Sequence, residues 1–483
     1  MRRLDRLCDS GEAPGVYTTV PENRLTATEN CHGGGSQQVS LTERRLIATV
    51  SDRPAPRRKR RLMRSKILIA AVAVIGVCST MTPASAAVSN LDTLLGEGRF
   101  DEAIDSLNQE IAAGDDVEND RATLGFVRLL QAVERLAQSQ YRYGALQELA
   151  QAIPVLRVPV PANPKPDTIS YEAARGIFAQ FSSDLAEVER TLAEVDTTAE
   201  IKVRLALGRV RFDINRDGKT SDDETLWRLF RQINRAVTQL EGERFEVALD
   251  AADVHWVRGY CHVLMAFCDF VLAYDTQEFF ERCGHLFYFR PDTPYEFLLA
   301  EDRGWEFDAR HIADVIAAMH LINFPLEDAE RVRSAHAHFL AMVQQSRLCW
   351  ERALAETDDD AEWLPNPDQQ GVLGVPVARA QIDAWSQVLN EIEEILLGKK
   401  LVPFWRAYSP AWGGARVEIP EKGLGVNVNR MMLEPGDFDL VMIISGTGVA
   451  PYLEEGPLST PDAWSRMTQA FRGQFFGFAL WFN

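Results

Sequence analysis

The stretch "SYEAARGIFAQFSSDLAEVERTLAEV", residues 170–195, sets Ile177, Phe181, Leu185, Val188, Leu192 and Val195 on one stripe at three- and four-residue spacing. That period belongs to an α-helix with one apolar face, and such a face has to be buried against another element. Ser170 stands where an N-cap hydroxyl would take an orphan amide. The same period marks helices near 223–238, 249–273, 276–287, 308–321, 327–356 and 378–397. The spacing therefore predicts a mainly α chain with a helical domain over residues 167–400.

Before that body, "LLGEGRFDEAIDSLNQEI" repeats Leu94, Leu95, Phe100, Ala103, Ile104, Leu107 and Ile111 at helical spacing, with a glycine turn before Phe100. This stretch resembles part of a tetratricopeptide repeat, with a small packing residue at Ala103. The resemblance implies a helical hairpin within 87–152 and a protein partner bound through it. A solenoid needs about three repeats, and the sequence offers no further copy. Residues 153–166 hold five prolines, which remove amide donors and disfavour helix, so they read as an extended linker. Beyond residue 400 the pattern changes. "RVEIPEKGLGVNVNRMML" alternates in part, "FDLVMIISG" leans towards β, and "FFGFALWF" reads as a buried last strand. Residues 401–483 are expected to form a small α+β unit.

The N-terminus reads as an address. Residues 1–62 lack apolar periodicity and end in "RPAPRRKRR", consistent with a mis-called start or a disordered extension. Residues 63–86 follow the grammar of a secretory signal: Arg64 and Lys66, twelve apolar residues from Ile67 to Cys78, then Ala84-Ser85-Ala86. Twelve is short of the roughly 17–25 residues that span a bilayer, so the mature chain is expected to carry no membrane span and to be periplasmic or secreted. The whole chain has 51 basic and 70 acidic residues; cleavage after Ala86 would remove 14 and 7, leaving 37 and 63, a net charge of −26. Such a surface repels nucleic acid and concentrates cations.

Four cysteines would remain: Cys261, Cys268, Cys283 and Cys349. On one helix Cys261 and Cys268 lie two turns, about 10 Å, apart, too far for a mutual disulfide. Either of the two other double pairings, or four free thiols, remains open.

Signatures of catalysis are few. "RAYSP" (406–410) and "MIISGTGVAPY" (442–452) resemble two motifs of the ferredoxin–NADP reductase family, one touching flavin and the other a dinucleotide. The resemblance implies a flavin/NADP reductase. About forty residues separate the motifs and 35 follow Gly448, too few for the surrounding βαβ units. Gly446 and Gly448 are better explained by a tight turn after a strand. The histidines contain no His-x-x-x-His pair, and His336 and His338 would diverge on a helix. His255 and His262 are expected as hydrogen-bonded core histidines, although a secreted enzyme of unrecognised type, with its site near His255–His285, is an alternative. No serine elbow or phosphate loop occurs. "ETDDDAE" (356–362) reads as a solvated acidic loop.

The strongest local signal is "DINRDGKTSDDE", residues 213–224. Asp213, Asn215 and Asp217 occupy positions 1, 3 and 5 of a twelve-residue loop. Gly218 falls at the sharp turn, Lys219 offers its carbonyl at 7, Ser221 lies at 9 and Glu224 at 12. Calcium wants six to eight oxygens, and this spacing wraps them around one point. The segment resembles the EF-hand-like calcium loops (Asp-x-Asn-x-Asp-Gly) of bacterial secreted proteins. It departs from the paired form in having Thr220 at position 8 and no second loop. The entering segment "IKVRLALGRVRF" is ambiguous between helix and strand, whereas "DDETLWRLFRQI" should be a helix. The sequence therefore points to an exported calcium-binding protein, a structural or interaction module of the cell envelope rather than an enzyme.

Overall fold

The computed structural model describes residues 90–146, 158–233, 242, 245–299, 309–374, 376–409, 418–460, 465 and 469. They lie within one compact unit spanning Met81–Asn483. The export signal, residues 1–62, part of the proline-rich segment and "FFGFALWF" lie outside the described residues.

The architecture is mainly α with a small β-containing portion towards the C-terminus. Three helices open it: α1 (Asn90–Gly96), α2 (Phe100–Ala113) and α3 (Val117–Tyr143). Gly114 and Gly144 end α2 and α3 in the left-handed conformation that glycine adopts without penalty. Next comes α4 (Tyr171–Ala193), whose Ser170 hydroxyl accepts the Ala173 amide at 3.2 Å, as the capping signal predicted. Its stripe of Ile177, Phe181, Leu185, Val188 and Leu192 is buried. Leu192 seats against Gly125 of α3, where an added Cβ would lie 2.2 Å from its Cδ2. Residues 158–166 have no regular structure, but Val158 and Val160 pack on the core.

Helix α5 (Leu226–Ile233) follows the 213–224 segment through a 3-10 turn at Asp222–Glu224. The segment before it is no helix: β1 (Val203–Leu205) pairs antiparallel with β2 (Val247–Leu249), and a 3-10 turn spans Leu207–Arg209. The alternation of Val203 and Leu205 had made that stretch ambiguous, and the partner strand decides it.

At the centre stands α6 (Ala251–Ala273), packed between α4 and α9 (Ala329–Ala353). Among the described residues α6 alone is long and apolar enough to cross a membrane, yet its apolar residues are largely buried by these neighbours. Between them lie α7 (Gln277–Cys283), shorter than its apolar pattern suggested because residues 284–286 tighten into a 3-10 turn, and α8 (Ala309–Leu321). Helix α10 (Arg379–Leu396) packs on α9 around Trp350, Trp385 and Leu389.

The C-terminal region carries β4 (Val402–Pro403), β5 (Lys422–Val426) and β7 (Leu453–Pro457) in one antiparallel sheet of order β4-β5-β7. β3 (Asn323–Phe324) pairs with β6 (Phe438–Asp439). Short helices α11 (Trp405–Tyr408), α12 (Val428–Leu433) and α13 (Leu440–Ser445) intervene. Most of "FDLVMIISG" is therefore helix, not strand. Asp439 caps α13 by accepting the Met442 amide at 2.9 Å, and Gly446 closes it at φ +83°. Gly446 is thus a helix C-cap rather than a turn after a strand.

Candidate functional site

Residues 213–224 close on themselves through their acidic side chains. Asp213 accepts the amides of Asp217 and Gly218, both at 3.0 Å. Asn215 takes the Asp217 amide at 2.8 Å, and Asp217 takes that of Lys219 at 2.9 Å. Arg216 and Gly218 lie in the left-handed region, at φ +57° and +76°, which bends the chain around these carboxylates. Glu224 is only 4% exposed. Its Oε1 accepts the Ile214 amide at 3.1 Å, and its Oε2 accepts the Ser221 amide at 2.9 Å and the Ser221 hydroxyl at 2.8 Å. All the residues singled out by spacing thus belong to one knot, with Lys219 and Ser221 in its backbone. Asp213, Asp217 and Glu224 do not gather their oxygens within 4.8 Å of one another.

The knot is anchored from behind. The Asp213 amide donates to Glu134 of α3 at 2.8 Å, and Gln138 of α3 donates to the Asp213 carbonyl and accepts from Arg216. Burial pushes the Glu134 carboxyl up to about 7, against the opposing pull of that Asp213 amide. Phe212 stacks on Phe100 with centroids 5.8 Å apart. Where a paired EF-hand would set a second loop against Thr220, this chain sets the turn at Gly98, whose Cα faces the Thr220 methyl.

A second cluster lies at Asp250, Glu356 and Glu362. The run "ETDDDAE" is solvated only in its middle. Glu356 and Glu362 at its ends turn inward to Asp250, and the three offer carboxylate oxygens within 4.8 Å of one another. β2 delivers Asp250 to the N-cap of α6, where its Oδ1 accepts the Ala252 amide at 2.6 Å. Glu356 follows the end of α9, with its Oε2 bonded to Gln369 at 3.3 Å. Glu362 docks beside β2: the Ala248 amide donates to Ala361, which sits at φ +72°, and Val372 donates to the Glu362 carbonyl. Burial and then the Asp250 charge push Glu356 up to about 9, and burial pushes Glu362 to about 7. The cluster borders a cavity of about 410 Å³ that Thr197, Lys202, Arg204 and Arg352 also line.

Four of the histidines hydrogen-bond within the fold. His255 meets Gln345 at 2.8 Å and Thr197 at 3.2 Å, His262 meets His338 at 2.9 Å, and His336 bonds to the Leu396 carbonyl. His336 and His338 do diverge, as their spacing required. All four cysteines are buried and unpaired.

The two reductase-like segments do meet, because Arg406 donates to the Ser445 carbonyl at 2.6 Å. That bond uses the guanidinium on backbone. The Gly-Thr-Gly turn follows helix α13, and every pair of named strands among the described residues is antiparallel. A separate cavity of about 720 Å³ is walled mainly by aromatic and aliphatic side chains, including Phe178, Phe270, Phe279 and Phe324. Arg175 at its wall spends its donors on the carbonyls of Leu272 and Tyr274.

No family model matches this chain, no curated protein matches it in sequence, and no solved structure matches its fold.

Proposed function

We propose that this is an exported calcium-binding protein in which residues 213–224 hold one calcium ion as a structural staple. The observation that carries this reading is the Asp213 carboxylate accepting the amides of Asp217 and Gly218. Those two bonds close the turn, within which Asn215 and Asp217 each take a further amide. A carboxylate oxygen has two lone pairs, so Asp213 and Glu224 can each keep an amide and still ligate. The Lys219 carbonyl and Ser221 complete the proposed set, which suits a hard ion that takes six to eight oxygens. An ion there would fasten the segment between β1 and α5 to α3. The role is accordingly one of a structural or interaction module of the cell envelope, with the α2–α3 hairpin as a surface for a protein partner.

A lone loop belongs in the weaker part of the calcium range, about 10⁻⁵ to 10⁻³ M. Titration calorimetry should detect that binding, and calcium should raise the melting temperature, since only the folded state holds the ion. Asp213→Ala and Glu224→Ala should each remove the loop's share of the response. If neither substitution alters the wild-type response to millimolar calcium, the loop is an acidic turn and nothing more.

A further inference from the structure

We infer that the aromatic cavity of about 720 Å³, where α4, α6 and α7 meet the β3–β6 pair, binds an uncharged lipid. Its volume falls within the range of small-molecule sites, about 300–1,000 Å³. Six phenylalanines from five elements stand around it: Phe178 of α4, Phe267 and Phe270 of α6, Phe279 of α7, Phe324 of β3 and Phe438 of β6. All six remain partly exposed. Their rings brace one another around the space. Phe178 meets Phe267 with centroids 6.5 Å apart, Phe279 meets Phe324 at 5.7 Å, and Phe324 meets Phe438 at 6.3 Å. Phe270 is held from behind by Phe339 of α9 at 6.1 Å. Such ring contacts fix orientation, so the space is preformed. Protein interiors otherwise pack to the density of organic crystals.

The wall offers a ligand little but hydrocarbon. Arg175 is the one basic residue lining it among the described residues. Its guanidinium donates to the carbonyls of Leu272 and Tyr274 and to Glu327. The Tyr171 hydroxyl meets Arg175 and Asp275, both at 3.2 Å, and accepts the Thr276 amide at 3.0 Å. The Tyr288 hydroxyl is buried out of reach. An ordered water needs two to four polar partners, and this wall supplies few. Recognition therefore rests on apolar contact with a molecule that is mostly hydrocarbon.

Charge decides the headgroup. Three carboxylates adjoin the lining residues: Asp275 through Tyr171, Glu327 through Arg175, and Asp437 beside Phe438. Asp437 also accepts the Leu326 amide at 2.8 Å. Glu327 already answers the one guanidinium, so the field at the wall is negative. A fatty-acid carboxylate or a phosphate would be repelled there, and an uncharged headgroup would not.

The test uses the full chain and the uncharged dye Nile red, followed by fluorescence. The dye should bind saturably, one per chain, and sub-micellar 1-monooleoylglycerol should displace it, with oleate at least tenfold weaker. Absence of saturable binding, or equal displacement by oleate, overturns the inference. Val271→Trp and Ile322→Trp each put a larger side chain into the wall. Each should weaken dye and lipid binding at least tenfold while leaving the melting temperature unchanged or higher, and the second keeps the test open if the first fails to fold. Ile444→Glu changes a residue of α13 that is 67% exposed and outside the lining, and it should leave affinity unchanged. Loss at Ile444→Glu with no effect of either tryptophan would put the dye on the surface and sink the idea. Two other occupants are read in the same assay. If the full chain binds dye only after residues 461–483 are removed, that segment fills the cavity; if light scattering finds a dimer that Val271→Trp separates, a second copy does. Either result overturns the inference. The calcium response of the 213–224 loop is measured separately and stands or falls by itself.

Discussion

The Gln138 side-chain amide donates to the Asp213 carbonyl at 2.8 Å, across 75 residues of sequence. The same amide group accepts from Arg216 at 2.7 Å, so one residue of α3 holds both Asp213 and the left-handed turn at Arg216. Replacing it with Ala should cost about 1–3 kcal/mol, because two partners lose a buried or half-buried hydrogen bond. Calcium affinity should fall with it, although Gln138 supplies no ligand. Chemical denaturation with and without calcium measures both effects; an unchanged affinity would mean that α3 does not preorganise the loop.

Gly98 should be equally unforgiving. It sits at φ +70°, and an added Cβ would lie 2.7 Å from the Thr220 methyl. Gly98→Ala should destabilise the fold by about 1–2 kcal/mol from the backbone alone, with more from the collision. Thr220→Ser removes the methyl, so the double variant should recover the collision part and keep the backbone part. Additive stabilities in that cycle would show that the α1–α2 turn and the loop do not press on each other.

The thiols give a third expectation. Burial pushes Cys268 up to about 12 and Cys283 to about 11, and it raises the Cys261 and Cys349 thiols as well. Thiolate is the reactive form, so a brief iodoacetamide pulse at pH 8 should leave these four unlabelled in the native protein and label them in denaturant. Peptide mapping reads each site separately. Recovery of any linked pair among the four would contradict the unpaired, buried arrangement.

Helical period made much of this fold legible. α4, α6, α9 and α10 begin and end within a few residues of where their apolar stripes place them, and Ser170 caps as its position demanded. α13 was hidden because six residues, five of them apolar, are too few to display a period; Asp439 and Gly446 were the usable signals. The 213–224 spacing was visible as a ligand pattern. That Glu224 also fastens the Ile214 and Ser221 amides was not, because it depends on how the loop closes. The inward turn of Glu356 and Glu362 had no local sign at all. It follows from a docking against β2, through Ala248 and Ala361, between segments more than a hundred residues apart.

The paired imidazoles of His262 and His338 should make stability depend on acid. Their Nδ1 atoms lie 2.9 Å apart, so one must donate and the other accept. Two imidazolium rings could only donate, and the contact would fail. Burial, outweighing the pull of Glu189, lowers His262 from 6.5 to about 4, and burial lowers His338 as well. Glu189 lies 3.7 Å from His262 and Asp269 lies 3.8 Å from His338, while Arg258 and Arg331 engage those carboxylates. With the folded value below the unfolded one, the unfolded chain binds more protons between pH 6.5 and 4. Stability is then complete above pH 6.5 and is lost progressively as the pH falls towards 4. At about 1.4 kcal/mol per tenfold change in proton affinity, His262 alone contributes a loss of about 2 kcal/mol between pH 7.5 and pH 5. The raised carboxyls of Glu134 and Glu356 act in the opposite direction, so the informative quantity is the difference between wild type and His262→Gln. Urea midpoints at the two pH values should show the variant losing less stability on acidification than the wild type; equal losses would mean that the pair titrates as it does in the unfolded chain.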